Sequence, residues 1–189
     1  MSTENLMTFL NAVDVELVKH ASADETLDLH LIGRSAMILG FGVQLMTKDV
    51  DVVEVRPSRL LTLVSEVFKK GASGNAGYGF YLETVSSGFP PLPAGFEARC
   101  IDIEGPWRVI RPKRPEGHDL VVTKLKRFHQ GDREDVQILC DTGEIEEETL
   151  RSRFELAHVF SDRDDPNVVK ASANLESVVD YLNGRRRML

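Results

Sequence analysis

The segment MTKDVDVVEV (46–55) places two aspartates, Asp49 and Asp51, at the start of a run of β-branched residues. Alternate side chains of a β-strand point to the same face, so the two carboxylates lie on one side of the predicted strand, within about 7 Å of each other. Exposed strand ends also carry such pairs, but buried carboxylates are costly unless they are paired or bind a cation. The pair therefore predicts a divalent cation site with the oxygen ligands that Mg²⁺ prefers.

The residues around this strand alternate between strand and helix patterns. TLDLHLIG (26–33) has alternating leucines typical of a strand, and RSAMILGFG (34–42) predicts a short helix that ends in glycine. PSRLLTLVSEVFKKG (57–71) predicts a second helix, and YGFYLETV (78–85) predicts a third strand. This order is typical of an α/β (α+β) fold.

The pattern changes near Pro115. FEARCIDIEG (96–105) and WRVIRP (107–112) predict two further strands, whereas the sequence after Pro115 is helical in pattern. The predicted helices cover 116–130, 132–141, 146–160 and 166–183. We therefore predict an α/β core over residues 1–114, with a mixed sheet flanked by helices, and a helical C-terminal region over residues 115–189.

Composition narrows the class of protein. No apolar run approaches the roughly 18 to 20 residues of a membrane span, and the N-terminus lacks a signal-peptide pattern, so no membrane partner is expected. Two cysteines, Cys100 and Cys140, are too few for a disulfide framework or a zinc site. Free thiols fit a cytoplasmic protein.

Charge is unevenly distributed. The net charge is -7, yet residues 108–133 carry eight lysines and arginines. This basic zone suits a small polyanion such as a nucleotide triphosphate or one phosphate-bearing strand, and a solvated mixed-charge helix is the alternative. The C-terminal GRRRML (184–189) adds a second basic stretch, which leaves a nucleic-acid-binding protein as a further hypothesis.

Gly33, Arg34 and Ser35 stand where the first strand meets its helix. A glycine at this position lets backbone N–H groups and a helix N-terminus approach a phosphate. Ser35 offers a hydroxyl donor to the phosphate or caps the helix. Thr47, two residues before Asp49, either orients the carboxylates or ends the strand.

Two stretches together resemble a known enzyme superfamily. LIGRSAMILGFGVQLMTKDVDVV (31–53) resembles the polymerase-β-like nucleotidyltransferases, in which a strand, a Gly-Gly or Gly-Ser turn and a helix precede Asp-x-Asp on the next strand. HDLVVTKLKRFHQGDREDVQIL (118–139) is similar to a segment of the AbiEii-type and related small prokaryotic nucleotidyltransferases. That branch includes toxins of toxin–antitoxin and phage-defence pairs.

The resemblance implies a nucleotidyltransferase-like fold and transfer of a nucleoside monophosphate from an NTP to a tRNA or protein hydroxyl. Asp49 and Asp51 would be catalytic ligands of Mg²⁺, with two metal ions possible. The third carboxylate of the family comes from a later strand, and CIDIEG offers Asp102, with Glu104 as the alternative. This carboxylate would act as general base or metal ligand. A toxin would have an antitoxin partner.

The second stretch supplies the predicted phosphate ligands. Lys124 and Arg127 share one side of a helix, and we expect both to reach the nucleotide phosphates. Asp132 is expected to cap the next helix, and Asp135 to pair with Lys124 or Arg127.

Arg34 departs from the small residue usual after the first glycine of the family. Three explanations stay open: the loop is shifted so that Ser35 binds the phosphate, Arg34 itself binds it, or the site has decayed. The last would make the chain a catalytically inactive binding or regulatory module.

Overall fold

The computed structural model describes residues 3–86 and 90–185. The strands are β1 (Leu27–Leu31), β2 (Asp49–Glu54), β3 (Tyr81–Ser86), β4 (Ile101–Asp102) and β5 (Ile110–Arg114). The helices are α1 (Thr3–Val18), α2 (Gly33–Phe41), α3 (Arg59–Phe68), α4 (Phe96–Arg99), α5 (Gly117–Leu125), α6 (Gln130–Asp141), α7 (Glu147–Ala157) and α8 (Pro166–Leu182), with a 3₁₀ turn at Ser73–Asn75. None of the helices described has the length and apolar character needed to cross a membrane.

The chain divides into two compact units, the first formed by the residues up to Ser86 together with Cys100–Pro115. The second contains residues 90–99 and the chain from Glu116 onward. This grouping differs from the predicted division at residue 114 in one segment, because residues 90–99 belong with the C-terminal helices.

The first unit contains a five-stranded sheet in the order β3-β2-β1-β5-β4. Strand β2 runs parallel to β3, and β1 runs parallel to β5, whereas the β1–β2 and β4–β5 pairs are antiparallel. The predicted α/β class with a mixed sheet is therefore confirmed.

One face of this sheet is apolar and buried. The side chains of Leu29, Leu31, Val50, Val52 and Ile110 on this face are all fully buried. Because strand side chains alternate, the intervening residues of β2 and β3, including Asp49, Asp51 and Glu83, point to the opposite face. The strand periodicity thus places the acids together on one side of the sheet.

Helix α3 begins at a capping serine and packs with α1 through aromatic rings. Ser58 caps α3 by accepting a hydrogen bond from the N–H of Leu61. Phe9 of α1 lies in edge or tilted contact with the rings of Phe68, Tyr78 and Phe80, at centroid distances of 5.6 to 6.0 Å. These aromatic contacts join α1 and α3 to the segment that enters β3.

A buried aspartate fixes the start of β5. Asp14 of α1, 1% exposed, accepts hydrogen bonds from the N–H groups of Arg108, Val109 and Ile110. The strand was predicted to begin at residue 107, but β5 begins at Ile110. The N–H groups of Arg108 and Val109 bond to the Asp14 carboxylate, so these two N–H groups do not pair in the sheet. The pattern around Asp14 predicted a helix and did not reveal this contact.

The stretch 96–105, predicted as a strand, contains a short helix, two strand residues and irregular chain. Phe96–Arg99 forms α4, which follows a turn in which the N–H of Phe96 donates to the carbonyl of Pro93. Glu, Ala and Arg at 97–99 all favour helix. Only Ile101 and Asp102 pair with β5, so this strand prediction holds for two residues.

The second unit packs α5 against α6, α7 and α8. Asp119 of α5 is fully buried, and its carboxylate accepts two hydrogen bonds from the guanidinium of Arg99 at 3.1 and 3.2 Å. Burial raises the pKa of Asp119 to about 6, against the opposing effect of Arg99. Asp119 and Arg99 thus connect α5 to α4 within this unit.

Candidate metal centre

Three carboxylates meet on the polar face of the sheet. One oxygen from each of Asp49, Asp51 and Glu83 lies within 4.8 Å of the other two. Strand pairing brings them together, because β2 and β3 are parallel with Asp51 opposite Glu83 and Asp49 opposite Tyr81. Side chains at paired positions of neighbouring strands point to the same face.

This donor set fits Mg²⁺. Carboxylate oxygens are the ligands that this ion prefers, at about 2.0 to 2.1 Å, so two oxygens on opposite sides of one ion are about 4.2 Å apart. The observed spacing of at most 4.8 Å is close to that value. The two aspartates are half-buried and Glu83 is exposed, so the cluster is open to further ligands such as phosphates.

The carboxylate of Asp49 is held in place by a neighbouring hydroxyl. Thr47 Oγ1 lies 2.6 Å from Asp49 Oδ1 and 3.1 Å from the carbonyl oxygen of Asp49. Of the two roles that the sequence allowed for Thr47, the structure supports orientation of the carboxylate. A hydrogen bond of this kind fixes a ligand before the ion arrives.

Gly33 allows α2 to begin beside Asp51. Its φ is +64°, and a Cβ atom at this position would lie 2.6 Å from Asp51 Oδ2. The N–H of Ile32 donates to the carbonyl of Asp51 at 3.0 Å, which brings the end of β1 to the same point. Unpaired N–H groups of a helix N-terminus attract anions, so the α2 N-terminus lies where a phosphate would approach the carboxylates.

Replacing Gly33 with alanine is expected to destabilise the fold by about 1 to 2 kcal/mol from the left-handed backbone alone, with a further cost from contact with Asp51. Gly71→Ala is the matched control, because Gly71 has a φ of +81° but nothing within 4 Å of its Cβ position. We expect urea unfolding to rank Gly33→Ala below Gly71→Ala in stability, and metal titration to show weaker Mg²⁺ binding only in Gly33→Ala. Equal effects of the two substitutions would contradict the close approach of Asp51.

The residues after Gly33 are placed differently from expectation. Ser35 is 1% exposed, and its Oγ donates to the carbonyl of Ile32 at 2.9 Å. The hypothesis that the Ser35 hydroxyl binds phosphate is therefore corrected, because a serine in the first helical turn bonds to nearby backbone instead. The guanidinium of Arg34 donates to the carbonyl of Met46 at 3.3 Å, which joins α2 to the loop before β2.

Asp102 is not brought to the other carboxylates. It lies on β4, three strands from β2, which corresponds to roughly 14 Å across the sheet. Its side chain is 80% exposed, and a carboxylate oxygen lies 3.9 Å from Lys113 Nζ. The prediction of Asp102 as third carboxylate is corrected on this geometry. Glu104, the alternative, lies after β4 and does not join the cluster either.

Glu83 takes the position that Asp102 was expected to fill. Its segment YGFYLETV predicted a strand, but no local pattern identified this strand as the parallel neighbour of β2. The signal available was the alternation of Tyr81, Glu83 and Val85, which puts one acid on the face shared with Asp49 and Asp51.

Tyr81 lies beside the same carboxylates, opposite Asp49 in the strand register. Burial raises the pKa of the Tyr81 hydroxyl, and the nearby negative charges of Asp49, Glu83 and Asp51 raise it further. The tyrosine therefore stays protonated and offers a hydrogen-bond donor at the edge of the cluster.

Lys124 and Arg127 lie in the second unit, beside two buried aspartates; Lys124 is buried with them, whereas the Arg127 side chain is 63% exposed. Lys124 Nζ donates to Asp135 Oδ2 at 2.7 Å. This is one of the two pairings predicted for Asp135. Arg127 donates two hydrogen bonds of 2.9 Å to Asp132. Burial alone would raise the pKa of Asp132, but the Arg127 hydrogen bond and the nearby cations bring it below its usual value.

Asp132 also contributes to the start of α6. His129 is the N-cap, and its ring nitrogen accepts from the N–H of Asp132 while Asp132 accepts from the N–H of His129. The prediction that Asp132 caps this helix is corrected in position: His129 is the N-cap, and Asp132 is the third helical residue and its capping-box partner. Binding of nucleotide phosphates by Lys124 and Arg127 stays a prediction.

Comparison with known proteins places the chain among nucleotidyltransferases. Residues 8–180 match the model of a family described as "Nucleotidyltransferase of unknown function (DUF6036)". No curated protein has a significantly matching sequence. A crystal structure from H. pylori, itself only provisionally assigned as a nucleotidyltransferase, is similar over 99% of this chain and 100% of its own, at 16% identity with a TM-score of 0.48.

Proposed function

This chain belongs to the DUF6036 nucleotidyltransferase family, and from that premise we propose that it transfers a nucleoside monophosphate from an NTP to a hydroxyl group of an RNA or a protein. The observation that carries the proposal is the convergence of Asp49, Asp51 and Glu83 within 4.8 Å, next to the glycine that opens α2. A cation-binding carboxylate cluster beside a helix N-terminus suits a metal–triphosphate substrate.

Each residue of the cluster has a proposed role. Asp49, oriented by Thr47, and Asp51, adjoining Gly33, would hold Mg²⁺ together with Glu83. Mg²⁺, when bound, offsets the charge on the phosphate oxygens and lowers the pKa of the acceptor hydroxyl. Gly33 and the first N–H groups of α2 receive the triphosphate.

The reaction is an in-line displacement at the α-phosphorus. The acceptor oxygen forms a new bond to that phosphorus, and the bond from the phosphorus to the bridging oxygen of the β-phosphate breaks to release pyrophosphate. The acceptor proton passes to Glu83 or to solvent. Glu83 suits this role because it is the exposed member of the cluster.

Calorimetric titration with each of the four NTPs, with and without Mg²⁺, tests the proposal. We expect Mg²⁺-dependent binding of at least one NTP, and loss of that binding in the double variant Asp49→Asn/Asp51→Asn. No binding by the wild type, or equal binding by the double variant, would contradict the proposal. Because Asn keeps the side-chain size, a thermal melt of the variant separates loss of the ligands from loss of the fold.

A binding or regulatory module without transfer is the second candidate, and Arg34 favours it. The arginine stands directly after Gly33, where the superfamily usually has a small residue, and its guanidinium contacts the carbonyl of Met46. Mg²⁺–NTP binding without transfer of an α-phosphate label to any acceptor would support this candidate. Recovery of transfer in Arg34→Ser would show that the arginine suppresses an intact site.

A toxin role is proposed within the same activity. Transfer to tRNA or to an essential protein would arrest growth, and an antitoxin partner would then be needed for the cell to carry the gene. We expect induced expression in a bacterial host to arrest growth and Asp49→Asn/Asp51→Asn to relieve the arrest at equal protein level. Arrest that persists in the double variant, or no arrest by the wild type, would contradict the toxin role.

A further inference from the structure

A groove of about 570 Å³ lies between α3 and the edge strand β3 in the first unit. Its lining includes Lys69 and Lys70 from the chain just after α3, and Tyr81 and Glu83 from β3. Glu83 also belongs to the carboxylate cluster, so the groove and the cluster share this residue.

The groove lies on the opposite side of β2 from Gly33. The end of β1 and the start of α2 adjoin Asp51 on one side, and β3 with Glu83 adjoins it on the other. In an in-line displacement the attacking oxygen and the leaving group stand on opposite sides of the phosphorus. With the triphosphate at α2, the groove is therefore on the side from which the acceptor arrives.

The chemistry of the groove suits a phosphate-bearing chain. Lys70 Nζ lies 5.6 Å from the centroid of the Tyr81 ring, so a cation and an aromatic ring stand side by side. Single-stranded nucleic acid is bound by these two groups, the cation at a phosphate and the ring against a base. Lys69 pairs with Glu66, but these side chains are 58% and 68% exposed, so exchanging this partner for a phosphate costs little. A protein hydroxyl would not need cations at this place.

We propose that this groove binds the hydroxyl-bearing end of a single-stranded polynucleotide, with Lys69 and Lys70 at its phosphates, its terminal nucleoside against Tyr81 and its terminal hydroxyl directed to Glu83. The inference rests on the proposed function, because it assigns the acceptor side of the same site. It adds the chemical class of the acceptor and the residues that recognise it.

Fluorescence anisotropy with labelled oligouridine and oligodeoxythymidine of about 12 nucleotides tests this assignment. The probes are titrated in the presence of Mg²⁺ and the α,β-methylene analogue of the NTP that binds in the calorimetric titration, because this analogue occupies the nucleotide site without reaction. The variants are Lys70→Glu, Tyr81→Ala and Tyr81→Phe. Lys170→Glu is the matched charge reversal, since Lys170 is an exposed lysine on α8.

We expect Tyr81→Ala to weaken binding of at least one probe by roughly 5- to 100-fold, and Tyr81→Phe to retain affinity because the phenyl ring still stacks. Lys70→Glu should weaken binding and lower the salt dependence by about one unit of slope, as for a lost phosphate contact. Lys170→Glu should change neither. Stronger binding of the RNA probe would identify a ribonucleotide acceptor, and stronger binding of the DNA probe a deoxyribonucleotide acceptor.

If neither probe binds, or if Lys70→Glu and Tyr81→Ala bind as the wild type does, the groove assignment is overturned in favour of an acceptor without phosphates, such as a protein hydroxyl. Binding of the α,β-methylene analogues of the four NTPs separates this failure from failure of the proposed function. If Mg²⁺-dependent nucleotide binding is lost in Asp49→Asn/Asp51→Asn but kept in Lys70→Glu, the proposed function is supported and only the groove assignment fails. If the wild type binds none of the nucleotides, both the proposed function and the groove assignment are contradicted.

Discussion

Replacing Asp49 and Asp51 with asparagine is expected to lower the rate of nucleoside monophosphate transfer by about three orders of magnitude or more. A bound divalent ion contributes several kcal/mol of charge stabilisation to a phosphoryl transition state, and about 4 kcal/mol corresponds to a thousandfold in rate. The two carboxylates are half-buried on β2, so asparagine fits the same space while removing both negative charges. The measurement is transfer of label from each [α-³²P]NTP to total tRNA.

Variants of Glu83 and Asp102 test which of these two acids is the third carboxylate. Glu83→Gln should lose transfer to a similar extent, because Glu83 completes the cluster. Asp102→Asn should retain it, because Asp102 lies at the far side of the sheet beside Lys113. Asp28→Asn is the matched control, since Asp28 is also exposed and also lies beside Lys113, at 3.4 Å. Loss of transfer in Asp102→Asn with retention in Glu83→Gln would restore the assignment made from sequence.

Replacing Lys124 with methionine is expected to destabilise the protein by about 3 to 5 kcal/mol. Its side chain is 9% exposed and its ammonium bonds to Asp135, whose side chain is 2% exposed. Asp132, 1% exposed, lies 3.8 Å from the same ammonium. Removing one partner of a buried ion pair takes the nearest opposite charge away from the carboxylate that stays buried, which is the costly case. Chemical denaturation gives the free energy of unfolding, with Lys170→Met as the exposed control.

The double variant Lys124→Met/Asp135→Leu separates a structural role from a ligand role. Replacing both members of a buried pair with apolar residues is often close to neutral, so the double variant should recover most of the lost stability. If Lys124 also reaches the nucleotide phosphates, the stable double variant will bind Mg²⁺–NTP more weakly than the wild type. A loss below 1 kcal/mol in Lys124→Met would contradict the buried network.

Local patterns predicted the parts of the fold that depend on local sequence. The two-residue spacing of Asp49 and Asp51 fixed their common face, and the glycine at 33 marked the strand-to-helix turn, where the structure has a left-handed residue in contact with Asp51. The helical periodicity after Pro115 corresponds to α5 to α8, with ends that differ by a few residues. These features follow from backbone geometry within one turn or one strand.

The order of strands could not be read from the sequence, and it determines the third carboxylate. Asp102 and Glu83 are both acids within predicted strands, so the pattern alone does not decide between them. Glu83 is chosen because β3 pairs in parallel with β2, through a connection that includes all of α3. Asp102 is excluded because β4 pairs with β5 at the other edge. Parallel pairing of this kind is a long-range contact that has no local signal.

Side-chain partners were the other missing information. The sequence placed Lys124 beside an apolar stripe but could not distinguish an ammonium at the protein surface from one buried against Asp135. Ser35 fitted a phosphate donor equally well until the structure showed its hydroxyl bonded to Ile32. In the C-terminal GRRRML stretch, residues 186–189 lie outside the described residues, so its proposed nucleic-acid role stays a hypothesis.

The most direct test of the account is a crystal structure grown with Mn²⁺ and α,β-methylene-ATP, because Mn²⁺ takes the oxygen ligands of Mg²⁺ and is located by its anomalous signal. The account predicts a manganese peak coordinated by oxygens of Asp49, Asp51 and Glu83, with the triphosphate extending from it to Gly33 at the start of α2. A nucleotide bound elsewhere, or manganese at Asp102 and none at Asp49 and Asp51, would contradict it.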